Sequence, residues 1–589
     1  MTSPLISPEA TLRFPGILSK DNLTLKIWLG ISWVGFLILP WYAAYDGFWS
    51  FIWVIDGYPT FHEYSPGILQ IIIHQRWWLW PVVLAMLVPL SVLSLPRSDS
   101  RYALTLLFCG GLGFVFTLSQ GFILGLHGWG WEFLVEVFGP TEQRQIGMGY
   151  GALLVCCGFL FMFTQGLAAR GAIKGDEFVC GSIGFCVVLV TVFVFFPVGR
   201  ILINALQDDE GNYVFSLFLE KIISHSIWGL DCFSSNLSCG VAWNSLLMGV
   251  LVGASTTLLG LAFALLVTRT GMQAKGFVRT ASLLPIITPP FVIGLALILL
   301  FGRAGAVNVF LEWAFGIPPS RWLYGLTGIL IAQILAYTPI AFLVLIGVVE
   351  AVSPSMEEAS QTLRASRWQT FWTVSFPLMR PGLANAFLLG FIESLADFGN
   401  PLVLGGNFEV LSTQIFFSIV GAQGDPGMAA VLAIVLLMFT LTAFYAQRRW
   451  LGKKSYSTVT GKGDAGVHVR LPKRVEWLAY LSAFPFLAMS LIVYGMILFG
   501  GFVETWGYKH NFTLKHYIAE FSLYWSDKHG LLWEGAAWNS FWTTLQISVI
   551  SAPLTAGLGL LTAYILVRQQ FWGKDVFEFL TMLSFAIPG

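Results

Sequence analysis

The stretch WNSLLMGVLVGASTTLLGLAFALLVTR, residues 243–269, and its later relative WNSFWTTLQISVISAPLTAGLGLLTAYILVR, residues 538–568, decide how this chain folds. Each opens on Trp-Asn-Ser and closes on an arginine, and neither carries a charged residue before that arginine. About 20 mostly apolar residues suffice to cross a hydrocarbon core as a helix, the form that satisfies every backbone group within the segment. Each stretch is therefore a membrane span. From Gly260 onward the two align without gaps, pairing Gly260 with Gly559, Ala264 with Ala563, Lys275 with Lys574 and Pro289 with Pro588. The polar flanks match as well as the apolar interiors, so this is an internal repeat of the kind transporters carry.

Composition extends the reading to the whole chain. Of 589 residues, 56% are hydrophobic and 11% charged, against roughly 25% charged in a soluble domain. Long apolar stretches recur near residues 25–45, 77–95, 103–126, 146–168, 178–203, 243–267, 281–301, 325–350, 383–404, 428–447, 476–501 and 539–567. The expected fold is an all-α integral membrane protein, a polytopic bundle of about twelve complete transmembrane helices. A thirteenth stretch begins near residue 576. With the N-terminus in the cytoplasm, the inner loops hold roughly 22 Lys and Arg and the outer loops roughly 8, the bias that orients such chains. Arg97, Arg101, Arg170, Lys174, Arg269, Lys275, Arg279 and the run from 448 to 474 then fall inside, while Asp208, Asp209 and Glu210 fall outside. The first stretch follows about 24 polar residues without a short apolar core and a cleavage site, so it reads as a retained span. A net charge of +0 excludes a nucleic-acid partner, because phosphate binding needs a basic face.

These spans divide into a four-helix membrane extension at 1–170, a first repeat unit at 171–447 and a basic cytoplasmic linker at 448–475. A second, incomplete unit follows at 476–589. The first unit runs on well past the position matching Gly589, so a completed second unit implies a protein of roughly 740 to 750 residues.

The inner loop EAVSPSMEEASQTLRASRWQTFWTVSFPLMRPGLANAF, residues 350–387, is long, mixed in charge and helical in pattern. Ser353 or Ser355 can cap a helix whose first turn carries Glu357 and Glu358, acids favoured there by the helix dipole. Leu363, Trp368 and Phe371 can present apolar surface, with Pro377 and Pro381 ending the element. Glu358-Ala359-Ser360 followed by Phe376-Pro377-Leu378 resembles the EAA coupling loop of ABC importer permeases, with Arg364 standing where that family usually has glycine. LLPIITPPFVIGLALILLFGR, ESLADFGNPLVLGGNFEVLSTQIF and KKSYSTVTGKG narrow the resemblance to fused ferric-iron permeases of binding-protein-dependent transporters, over residues 178–589.

The resemblance implies a type I ABC importer permease fold in tandem, in the bacterial inner membrane. It implies two ATP-binding cassette subunits on the cytoplasmic side and a periplasmic substrate-binding protein outside. The coupling set would be Glu357, Glu358, Ala359, Ser360, Leu363, Arg364 and Pro377, within residues 351–382, with Glu358 and Ala359 as the docking contact. Sulfate, molybdate, polyamine and thiamine permeases resemble the same fold, so ferric iron is the expected cargo and these are its alternatives.

The chain is not expected to be an enzyme or to bind a cofactor, ATP being used by the partner subunits. No stretch fits GxxxxGK[ST], and Gly461-Lys462-Gly463 lacks the upstream glycine of a phosphate loop. In the ninth span Glu393 and Asp397 stand four apart, on one helix face. With Asn400 they form a candidate translocation pathway, since buried carboxylates suit a hard cation. Alternatively Asp397 caps the half-helix at Phe398-Gly399-Asn400-Pro401 and Glu393 pairs with another helix. Pro285, Pro289 and Pro290 break the start of the seventh span, as a kink or as a gate. Cys232 and Cys239, seven apart in the outer loop CFSSNLSC, can form a disulfide or stay as two thiols. His127, His225 and the other histidines lack metal-site spacing, so no metal site is expected. A secondary transporter is the rival class, and it would lack a coupling loop.

Overall fold

The computed structural model describes residues 22–43, 50–55, 57–125, 128–139, 147–208, 212–233, 239–421, 424–451, 469–506, 509–526 and 530–586. His127, Asp209, Glu210, the segment KKSYSTVTGKG with its Gly461 to Gly463 tripeptide, and Pro588 lie outside these residues. The chain divides into two compact units, residues 1–192 with 550–580 and residues 193–549 with 581–589. The sequence reading places its edges at 170, 447 and 475 instead.

Among the described residues nine helices are long and apolar enough to cross a membrane: Ser100–Ile123, Tyr150–Ala169, Glu177–Asn204, Val241–Arg269, Pro290–Phe315, Leu326–Glu350, Pro426–Trp450, Lys473–Gly500 and Ala536–Arg568. Leu23–Ile38, Trp77–Val92 and Leu411–Val420 are shorter apolar helices. Of the roughly twelve expected spans, those near 25–45 and 77–95 fold as the shorter helices Leu23–Ile38 and Trp77–Val92, and two others contain a break. The stretch near 281–301 breaks at Thr288, between a 3-10 turn at Leu284–Ile287 and a helix at Pro290–Phe301. The stretch near 383–404 is the end of a helix at Phe376–Ala396, interrupted at Asp397 before a short helix at Gly399–Leu404. The helices are accompanied, among the described residues, by three two-stranded antiparallel hairpins. Two of them, Val503–Thr505 with Lys509–Phe512 and Leu523–Ser526 with Gly530–Trp533, occupy the loop before the second copy of the repeat.

In the first unit the helices Leu23–Ile38, Ser100–Ile123 and Tyr150–Ala169 meet through small residues. A Cβ on Gly110 would stand 2.5 Å from the Phe163 amide nitrogen, and one on Gly151 2.5 Å from the Gly35 carbonyl oxygen. Small residues at these crossings let backbones approach, which is how helices associate where lipid removes the hydrophobic drive. Leu25, Leu29, Phe36, Leu106, Val155 and Phe159 fill the remaining space. One end is closed by polar ties: Asn22 Nδ2 donates to the Leu93 and Leu95 carbonyls at 2.9 Å, and Arg97 pairs with Glu177 at 2.9 Å.

The second unit is built round the helix Val241–Arg269, packed against Leu326–Glu350 and Phe376–Ala396. A Cβ on Gly260 would lie 2.8 Å from Ala341 and Phe342 backbone atoms, and one on Gly390 2.5 Å from the Thr256 hydroxyl. The repeated Trp-Asn-Ser now has a physical meaning. Asn244 Nδ2 donates to the Cys239 and Glu409 carbonyls at 3.1 and 3.0 Å, and Ser245 Oγ accepts the Leu411 amide at 2.8 Å. The motif thus clasps the flanking loops onto the head of the helix. Its turn recurs in the second copy, where the Trp538 amide donates to the Gly535 carbonyl as the Trp243 amide does to Gly240. Both copies end on their arginine, Arg269 or Arg568, and resume as a helix at Lys275 or Lys574.

Candidate coupling loop and intramembrane carboxylate

The loop after Leu326–Glu350 folds as a helix at Pro354–Thr362, a second short helix at Arg367–Thr370, a π turn at Phe371–Ser375 and the helix Phe376–Ala396. Ser353 occupies the N-cap, with proline at the first helical position, where a missing N–H costs nothing. Pro377 and Pro381 do not end the element, contrary to the sequence expectation. They lie in the first turns of Phe376–Ala396, where a proline removes few intrahelical bonds, and the π turn just before them takes up the change of pitch.

The helix Pro354–Thr362 has two unlike faces. Glu357 is turned inward and is 1% exposed. Both of its carboxylate oxygens accept from Arg269 Nη1 at 2.6 Å, and Arg269 Nη2 donates to the Val349 carbonyl at 3.0 Å. Ser375 Oγ donates to Glu357 Oε1 at 2.6 Å, and the Val469 amide donates to Oε2 at 3.2 Å. A buried ion pair repays its desolvation only when the remaining lone pairs are also met, and here Ser375 and Val469 meet those of the carboxylate while Val349 accepts from the guanidinium. Burial removes Glu357 from the surface a partner could touch, so of the coupling set it is the residue that fastens the helix to the bundle. Glu358, Ala359, Thr362, Leu363 and Arg364 form the exposed face, Leu363 being 83% exposed. Ser360, half-buried, shares a hydrogen bond of 2.7 Å with Thr370 and ties the two short helices together. Pro377 is also half-buried.

The helix ends in a Schellman motif. The Arg364 amide donates to the Gln361 carbonyl at 2.9 Å and the Ala365 amide to the Ser360 carbonyl at 3.1 Å. Arg364 has φ +64°, the left-handed conformation that this cap requires and that glycine adopts most cheaply. The turn survives the missing glycine. The next helix opens on a capping box, with the Gln369 amide donating to Ser366 Oγ and the Ser366 amide to Gln369 Oε1.

Deeper in the bundle, Asp397 terminates Phe376–Ala396 and is 6% exposed. Its Oδ2 accepts from Gln333 Nε2 at 2.9 Å and Asn400 Nδ2 at 2.8 Å, and its Oδ1 accepts the Asn400 amide at 3.2 Å. The Tyr337 side chain stands beside this carboxylate. Ser394 Oγ donates to Gln333 Oε1 at 2.6 Å, and Ser412 Oγ to the Asp397 carbonyl at 2.7 Å. The cluster pins the break between two helices. Glu393 is half-buried one turn earlier. Gln333, Tyr337 and Ser394 escaped the sequence reading, although polar residues four apart on an otherwise apolar span were a usable signal. The proline segment joins this region, since Gly294, just past Pro289 and Pro290, would carry a Cβ 3.3 Å from Asn400 Oδ1.

Elsewhere, Cys232 and Cys239 are joined as a disulfide, with Cα atoms 4.9 Å apart. Among the described residues no three His, Cys, Asp or Glu side chains converge as a metal cage. His225 pairs with Asp231.

Residues 256–449 match the family described as binding-protein-dependent transport system inner membrane component. A putative ferric transport system permease protein of Haemophilus influenzae is 41% identical over 453 residues, covering 77% of this chain and 68% of the relative. A ferric transport system permease protein of Actinobacillus pleuropneumoniae is 40% identical over 77% of this chain and 64% of its own length. A molybdenum transport system permease protein of Azotobacter vinelandii is 30% identical over 31% of this chain and 81% of its own. The chain thus spans about two thirds of the length of the two ferric relatives.

Proposed function

The chain belongs to the binding-protein-dependent inner membrane transport components, among the ferric transport system permeases, and from that premise we propose that it forms the membrane path of an ATP-driven importer of ferric iron. The observation that carries this reading is the 41% identity to a ferric permease across most of the chain. Iron would arrive from a binding protein at the periplasmic face. Of two separate ATPase subunits, one would dock on the exposed face of Pro354–Thr362, with Glu358 and Ala359 at the contact and Leu363 and Arg364 at its rim. The N-terminus would be cytoplasmic, which keeps Arg269, Lys275 and the 448–474 run on the side of that helix. The buried face supports the same reading, because Arg269 and Glu357 fasten the helix to the transmembrane bundle and leave its other face free. Asp397, Asn400 and Glu393 would border the pathway, with Asp397 holding the helix break that shapes it.

The test is uptake of labelled ferric iron by cells expressing the transporter with its ATPase and binding protein, against the same cells carrying Glu358→Lys. Uptake reduced at least tenfold, with the protein still in the membrane, is expected. No iron uptake in the unaltered transporter would overturn the substrate, and molybdate uptake in the same cells would then be measured.

A further inference from the structure

The linker between the repeat units returns at Val469 and ends against the coupling loop. Val469 gives its amide to Glu357, and Leu471 is 5% exposed within the core of the second unit. One residue past Pro472 begins the helix Lys473–Gly500, the first of the second repeat. Twenty-one residues into that helix, about 32 Å along it at 1.5 Å per residue, stands Tyr494. Its hydroxyl donates to the Leu284 carbonyl at 2.8 Å and accepts from the Thr288 hydroxyl. Leu284 and Thr288 bound the 3-10 turn at which the Pro285, Pro289 and Pro290 segment breaks. Between its two ends the helix is braced: Phe486 meets Phe263 edge to face at 5.4 Å, and Ala479, Ala483 and Leu487 are buried.

We propose that Lys473–Gly500 is a connecting rod joining the coupling helix of the first repeat unit to the proline break of that same repeat, with Tyr494 as the positioning residue at its far end. The inference rests on the importer reading and goes beyond it, because it assigns a helix of the second repeat to the machinery of the first. A displacement of Pro354–Thr362 by docked ATPases moves Glu357. Glu357 is bonded to Val469, so the strap at 469–472 carries the displacement into the rod. The rod delivers it through Tyr494 to a break in the first repeat unit where helical hydrogen bonding is interrupted and the backbone is soft. Direct contacts between coupling helix and break are not needed.

The experiment uses the complete transporter with its ATPase and binding protein in nanodiscs, the five unpaired cysteines replaced by alanine. Spin labels on Gly276→Cys and Leu295→Cys span the break, Gly276 having open space beside it and Leu295 being exposed. Their separation is measured without nucleotide and after trapping with ATP and vanadate. Trapping is expected to shift the distance in this background. Tyr494→Phe, which removes the donated bond, and Val469→Pro, which removes the strap's amide donor, are each expected to abolish most of the shift while basal ATP hydrolysis persists. Thr288→Val serves if Tyr494→Phe does not reach the membrane, and its effect should not add to that of Tyr494→Phe. A shift of unaltered size in these variants, or no shift in the background itself, overturns the proposal. Because the readout needs no cargo, failure of the ferric-iron assay leaves it intact, and the two readings fail separately.

Discussion

At the scale of single residues, two adjacent glutamates divide the work of one helix. Glu357 is bonded on every side within the chain, and Glu358 faces outward. Truncating Glu357 to alanine leaves Arg269 charged and buried, which costs about 3–5 kcal/mol. A lowered melting temperature of the purified protein in detergent checks this. Replacing both partners together, Arg269→Leu with Glu357→Leu, should recover most of the loss, since well-packed apolar pairs often match buried ion pairs. Glu358→Lys should leave the melting temperature within about 1 °C, an exposed substitution being worth little. Arg364 offers the opposite sign. Its left-handed backbone is strained for any residue bearing a Cβ, so Arg364→Gly should stabilise the loop by roughly 1 kcal/mol. Slower proteolysis between Thr362 and Arg367 would register the gain.

Among elements, the close helix crossings set what can change. Gly260 lies against the backbone of Leu326–Glu350 at a distance no Cβ tolerates, so Gly260→Val should cost about 1–3 kcal/mol by overpacking and lower the melting temperature accordingly. The segment from Gly57 to Arg76 has a different sensitivity. His62 and His74 are held below the usual 6.5 by burial first, and the Arg76 charge adds to the depression, with Glu63 opposing it at His62. A depressed histidine pKa means the fold favours the neutral ring. Its contribution is therefore complete above about pH 6.5 and shrinks as pH falls toward the lowered value. Amide protection in this segment, taken relative to the intrinsic exchange rate at each pH, should fall between pH 7 and pH 5. Protection that stays constant over that range in the unaltered protein would contradict the assignment.

For the whole molecule, the tandem repeat is the organising fact, and it is legible twice. The sequence pairs Gly260 with Gly559 and Lys275 with Lys574, and the structure repeats the same glycine turn, the same arginine ending and the same restart. The two copies have unlike surroundings, however. Gly260 is pressed against a neighbour, and Gly559 has nothing within 4 Å. Uptake by the assembled transporter depends on both units, so loss of transport with Glu358→Lys is expected even though only one loop is altered.

By itself, the sequence determined the solvent, the helices, the repeat and the helical loop at 350–387, because each follows from local pattern: apolar run length, the Trp-Asn-Ser and arginine brackets, and the Glu-Ala-Ser to Pro spacing. It also located the breaks at Asp397 and at Pro285 to Pro290, since both rest on residues that disturb a helix locally. Only the tertiary structure decided which glutamate turns inward, that Gln333 and Tyr337 converge on Asp397, and that Val469 and Tyr494 reach back to the first repeat unit. Those contacts join residues 60 to 210 positions apart. Periodicity places a side chain on a face of its own helix, but the partner met there is fixed by how whole helices pack, through crossings that small residues allow and long-range hydrogen bonds complete.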